Sequence, residues 1–158
     1  MQSSVWSNPK YELKKQFFKL LGSNFRIYDP SGAMVLFSHQ KAFKIREDIR
    51  IFHDESATRE ALRIQARQIM DFSAAYDVFD SETNEKIGAL KRKGWASMIR
   101  DEWIVMDARD TEIGKVIEDS AFLALVRRFL TALVPQNYDM LLPDGMRVAD
   151  YRQHFNPF

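Results

Sequence analysis

The sequence predicts a mostly β protein made of serial antiparallel hairpins with one apolar helix, and three observations predict it. The first is a repeated cassette: an aromatic, an apolar residue two on, and an Asp two beyond that. It reads Phe25-Arg26-Ile27-Tyr28-Asp29, then Tyr76-Asp77-Val78-Phe79-Asp80, then Trp103-Ile104-Val105-Met106-Asp107. The second is an aliphatic residue six or seven positions after each Asp (Val35, Ile87, Ile113), followed directly by Gly88 and Gly114 in the last two copies. Each unit reads as a strand ending at Asp, a polar turn and a returning strand. The third is an aromatic content of 13%, with twelve Phe, which favours strands over helices. A supersecondary unit repeated along a chain predicts an architecture assembled from that unit.

The elements follow in order. Residues 1–10 are polar, contain Pro9 and are expected to form a flexible tail, leaving 11–158 as a single domain. Residues 11–21 alternate as a strand through Tyr11, Leu13 and Lys15, although Leu13, Phe17, Leu20 and Leu21 would also line a helix. The strand is preferred because Gly22-Ser23-Asn24 then forms a turn into the first cassette. Asp29-Pro30-Ser31-Gly32 is a turn, with a return strand through Met34 and Leu36. Residues 43–53 alternate, 54–58 turn, and Leu62, Ile64 and Ala66 return. Arg59, Arg63 and Arg67 are spaced for a competing helix over 58–69. Hairpins over 76–92 and 103–118 come next, and a weaker one runs from Tyr138 through Pro143-Asp144-Gly145 to Tyr151. The units recur about every 25 residues, stretched once. The stretch holds Phe122, Leu125, Val126, Phe129, Leu130 and Leu133, an apolar helical stripe capped by Asp119 or Ser120 and stopped by Pro135. A helix this apolar must pack in or on the sheet.

Bulk properties narrow the function classes. Apolar residues make up 46% and charged residues 28% of the 158, an ordinary balance for a folded soluble chain. A net charge of +1 supplies no global field toward nucleic acid or lipid, so no nucleic-acid partner is expected and electrostatic binding must come from a local patch. The absence of Cys excludes thiol catalysis, Cys-ligated zinc and disulfides. No signal-peptide core or bilayer-length apolar run is present, so the expected location is the cytoplasm, with peripheral membrane contact at most. A monomer is expected.

The serial hairpins and the aromatic-x-apolar-x-Asp…aliphatic-Gly pattern resemble the tubby C-terminal-like superfamily, within it the LURP-one-related and phospholipid-scramblase-like branches. Phe25 to Gly32, Lys41-Ala42-Phe43, Tyr76 to Gly88 and Trp103 to Gly114 carry the likeness. The resemblance implies a closed antiparallel β-barrel of roughly twelve strands around a central apolar helix, since closure removes edge strands. In that superfamily the helix stands at the C-terminus, whereas this sequence ends on Phe155-Asn156-Pro157-Phe158. Either the 120–134 helix takes the central role or the natural chain continues; the apolar ending favours the second expectation.

The strongest candidate site is basic. Lys86, Lys91, Arg92, Lys93 and Arg100 fall within fifteen residues that hold no acid, and Trp95 follows Lys93-Gly94. A Lys-Arg-Lys-Gly-Trp hairpin tip would set cations on anionic phospholipid headgroups with the indole at the interface. At about 1 kcal/mol per basic residue this gives roughly 3–5 kcal/mol before ordering costs, enough for reversible peripheral binding. The resemblance points the same way, because tubby-like domains hold phosphoinositides. The plain alternative is a solvated strand whose lysines blunt edge pairing. Asp29, Asp80 and Asp107 stand at equivalent strand ends and are expected to bond the backbone of their own turns rather than form a catalytic or metal-binding set. His39, His53 and His154 lack metal or triad spacing, and no phosphate-binding Gly loop occurs, so no metal or cofactor is expected. Arg127 and Arg128 read as rim residues of the helix.

The function expected from these residues is a non-enzymatic binding module, a lipid-headgroup or membrane-surface adaptor. A protein–protein scaffold and a carrier of a small apolar ligand in the barrel lumen are the alternatives.

Overall fold

A computed structural model describes residues 5–18, 22–40, 48–67, 74–93, 102–118 and 137–154. A single 3-10 turn at Val5–Ser7 is followed by eleven strands: β1 (Glu12–Phe18), β2 (Gly22–Tyr28), β3 (Met34–Gln40), β4 (Asp48–Phe52), β5 (Glu60–Ala66), β6 (Ala75–Asp80), β7 (Lys86–Arg92), β8 (Glu102–Met106), β9 (Glu112–Glu118), β10 (Asn137–Leu141) and β11 (Arg147–Arg152). They form one sheet in sequence order, and every register described is antiparallel. This is the serial-hairpin arrangement the cassettes predict. The strand order runs from β1 to β11 and does not show the expected closure into a barrel. The predicted helix at 120–134 lies outside the described residues, as do 43–47 of the predicted 43–53 strand.

The cassette's Asp residues explain the hairpins. Asp29 Oδ1 accepts the Ser31 and Ala33 amides at 2.9 and 3.0 Å, and the Ser31 hydroxyl at 2.6 Å. Asp80 Oδ1 accepts those of Glu82 and Thr83 at 2.8 and 2.9 Å, and Asp107 Oδ1 those of Arg109 and Thr111, both at 2.8 Å. Asp54 and Asp144 hold the amides of Ser56 and Met146 in the same way. A short carboxylate thus replaces the partners that the turn's own backbone cannot supply. In each loop the chain then passes through a left-handed residue before the return strand: Gly32, Ala57, Asn84, Asp110 and Gly145. Four of the hairpins also slip register beside the loop, at Ile27/Tyr28, Ile51/Phe52, Val105/Met106 and Met140/Leu141. A turn closed by a left-handed residue and a bulge keeps the strands at their natural twist.

Two of the local expectations change. Gly22-Ser23-Asn24 is the start of β2 and not a turn: Ser23 pairs with Gln40 and Asn24 with His39, whose ring nitrogen Nδ1 meets Asn24 Oδ1. Turn-type residues here make a polar rung of the sheet. The helix considered for 58–69 is absent, since β5 pairs with β4 from Glu60 to Gln65. Alternation of Leu62, Ile64 and Ala66 decides that segment over the arginine spacing.

The chain divides into two compact units, Met1–Ala66 with Val78–Lys86, and Arg67–Asp77 with Ile87–Phe158. In the first, Leu36, Phe37, Ser38 and Ala61 are buried, and the Ser38 hydroxyl donates to the Arg50 carbonyl at 2.8 Å. In the second, Ala89, Met106 and Glu118 are buried. There the Tyr76 and Trp103 rings tilt against each other at 5.9 Å. Arg67 is held between Asp77, at 2.8 and 2.5 Å, and Asp110. Those two carboxylates push the guanidinium's pKa above its ordinary value. Among the described residues no helix is long and apolar enough to cross a membrane.

Candidate functional site

Antiparallel pairing puts directly opposed residues on the same face of the sheet, while neighbours along a strand point to opposite faces. Lys86 opens β7 and is half-buried. Lys91 and Arg92 lie within β7, opposite Ile104 and Trp103 of β8. They belong to the paired strand and not to a hairpin tip, and the pleat sends them to opposite faces. Lys93 follows on the Lys91 face. Its amide donates to the Glu102 carbonyl at 2.9 Å, and its ammonium pairs with the Glu102 carboxylate at 2.9 Å. Trp95 and Arg100 lie outside the described residues.

Among the described residues of the run, Lys91 and Lys93 share one face and Lys86 and Arg92 the other, and the sheet assembles a longer basic row around Lys91. Ile104 stands opposite Lys91 on one side and Lys115 of β9 on the other. Lys115 stands opposite Leu141 of β10, and Leu141 opposite Arg147 of β11. One face thus carries the row Lys91, Ile104, Lys115, Leu141, Arg147, with cations alternating with aliphatic side chains. Successive cations are about 10 Å apart, two inter-strand spacings. Lys91 and Arg147 are exposed and Lys115 is half-buried.

The next row on the same face moderates that charge. It runs Glu102, Ile117, Asp139, Asp150 across β8 to β11. Glu102 takes Lys93, while Asp139 takes Arg152 at 2.6 Å and Arg147 at 3.6 Å. The opposite face is mostly apolar and aromatic, with Leu90, Trp103, Val105, Val116, Tyr138 and Met140 in register, but it also carries Arg92 opposite Trp103 and the buried Glu118 opposite Tyr138. A row of cations and aliphatic side chains spread over five strands is an extended surface and not a closed pocket for a small substrate.

Lys115 and Arg147 are the residues missed in the linear sequence, where they stand 24 and 56 positions from Lys91. Counting back from the Asp107 turn pairs Ile104 with Lys115, so the hairpin itself held the signal for the first. The second needed the β9–β10 pairing, which sequence spacing does not fix.

The turn aspartates do not converge on a site. Each is saturated by its own loop, and its pKa lies below the ordinary 3.8. For Asp29 the main cause is the Ser31 hydroxyl, for Asp80 the Thr83 amide, and for Asp107 the Thr111 amide. Among the described residues, no three His, Asp or Glu side chains cluster as metal ligands would.

No curated protein and no solved structure matches the chain. A family model does, the one described as LURP-one-related, over residues 34–139, about two thirds of the length. The match supports the LURP-one-related side of the resemblance and leaves the scramblase-like side without support. It runs from β3 into β10 and includes Lys91, Ile104 and Lys115 of the row, while Leu141 and Arg147 lie beyond it, and so the chain belongs to the LURP-one-related family of the tubby-like superfamily.

Proposed function

We propose that the chain is a non-enzymatic binding module that docks peripherally on anionic phospholipid surfaces through the Lys91 face of β7 to β11. The observation that supports this reading is the row Lys91, Ile104, Lys115, Leu141, Arg147. Cations about 10 Å apart cannot close on one small phosphate, but they can meet separate headgroups while Ile104 and Leu141 face the interface. Lys93 follows Lys91 on the same face and extends the same contact. With Lys93 and Arg147 already shared with acids, Lys91 and Lys115 supply most of the attraction, about 2 kcal/mol together. Binding of this kind is weak and strongly screened, because the Debye length shortens to about 8 Å at physiological salt.

Co-sedimentation with vesicles of phosphatidylcholine containing phosphatidylserine or phosphoinositide tests this, at low and physiological salt. The expected result is sedimentation that needs the anionic lipid, weakens with salt, and is lost in a Lys91→Glu/Lys115→Glu variant. No sedimentation at low salt would overturn the reading and turn attention to a protein partner. Sedimentation indifferent to the variant would leave a lipid binder with its contact elsewhere.

A further inference from the structure

Two cations of the Lys91 face are held by acids of the neighbouring row, and the partners of each pair differ in burial. In the Lys93–Glu102 pair the lysine side chain is 53% exposed and the glutamate 21%. In the Arg147–Asp139 pair the values are 59% and 21%. Both acids stand directly opposite Ile117, one on either side of it, and Asp139 also holds Arg152 at 2.6 Å. The cations therefore lie outermost, on long side chains that can turn outward, while the carboxylates stay set into the sheet face. Pairs exposed on one side are weak in water and exchange readily for an external anion. The exchange takes a cation away from a carboxylate that is largely shielded from water, and that loss opposes it.

We infer that Glu102 and Asp139 set the anionic charge density at which this face engages a lipid surface, by holding Lys93 and Arg147 until headgroups compete for them. The inference rests on the lipid reading above and adds the residues that decide which surfaces satisfy it. Lys91 and Lys115 stand opposite Ile104, an aliphatic residue, and make the first contact. Lys93 and Arg147 join only where the surface is dense enough in negative charge to draw them from their acids. The same two carboxylates repel headgroups, so a sparsely charged membrane is rejected by repulsion as well as by competition.

Co-sedimentation of the full chain with phosphatidylcholine vesicles of rising phosphatidylserine content, at low salt, tests this. The parent should bind with a steep onset, and Glu102→Gln and Asp139→Asn should each bind at lower phosphatidylserine content. At a fixed content the gain should be about fivefold for each cation released. The gain from Glu102→Gln should vanish when Lys93 is also replaced by Met, since the released ammonium is its source. Glu82→Gln removes one negative charge from the β6–β7 loop, where Glu82 is 65% exposed, and should alter binding by less than about twofold. Glu102→Gln decides the matter if Asp139→Asn, which also disturbs Arg152, fails to fold. An unchanged onset in Glu102→Gln overturns the inference and leaves the lipid reading standing. So does a gain that Glu82→Gln matches, or one that persists without Lys93. Absence of binding by parent and variants alike, at every content, overturns both.

Discussion

Ala57 holds a backbone φ of 52°, in the left-handed region where a β-carbon crowds the following carbonyl. Gly32 and Gly145 fill the equivalent slots of other hairpins at φ 81° and 86°. The slot is set by the loop, since each follows a turn closed by an amide-to-carbonyl bond: Gly32 to Asp29, Ala57 to Asp54, Gly145 to Leu142. Only two of the five loops use the residue with no penalty there, so the others store a small strain. Ala57→Gly is therefore expected to raise stability by about 0.5–1 kcal/mol, because relief of the left-handed β-carbon outweighs the added freedom of the unfolded chain. Gly32→Ala is expected to lower it by about 1 kcal/mol, although nothing lies within 4 Å of the new methyl. Urea unfolding midpoints of the pair check this. Shifts of the same sign would show that something other than the backbone conformation sets the cost.

Gly88 and Gly114 have a different cause, and it belongs to the hairpin rather than the residue. Both have ordinary φ, but a β-carbon at Gly88 would stand 2.8 Å from the Met106 carbonyl oxygen, and one at Gly114 2.7 Å from that of Leu141. The neighbouring backbone passes too close for any side chain. Gly114→Ala must push β10 away from β9 and is expected to cost roughly 1–3 kcal/mol, read as a lowered thermal midpoint. A midpoint within a degree of the parent would mean that the two strands separate freely. The aliphatic residue before each glycine was legible as a strand position but not as to its face: Ile87 and Ile113 are largely exposed. Strand existence was nearly all readable, because the Asp turns mark where each strand ends. What escaped was a polar rung such as Ser23 and Asn24, whose composition is that of a turn and whose place in the sheet comes only from pairing with β3. The basic site shows the same division. Lys91 and Lys93 could be named from the linear run, but the pleat removes Arg92 from their face, and Lys115 and Arg147 join through strands that sequence spacing does not align.

At the scale of the whole molecule, the repeated turn makes acid stability a collective property. Asp29, Asp54, Asp80 and Asp107 all have pKa values below the ordinary 3.8, for one kind of reason: hydroxyl or amide donors of the same loop favour the charged carboxylate. Glu55 is lowered as well, by the Arg26 guanidinium. A group whose folded pKa is depressed adds stability above its unfolded pKa, and that contribution disappears as pH falls through the folded value. The groups lie in separate hairpins, so their effects should add rather than couple. The thermal midpoint is thus expected to vary little through these carboxylates between pH 7 and about 5, then to fall progressively below about pH 4. Replacing Asp29, Asp80 and Asp107 together by Asn separates charge from geometry, because the amide oxygen can accept the same loop amides but does not titrate. That variant should be less stable than the parent at neutral pH and lose less on acidification, so the two curves converge toward pH 2–3. Parallel curves would instead place the acid sensitivity in other carboxylates and reduce the turn aspartates to geometry alone.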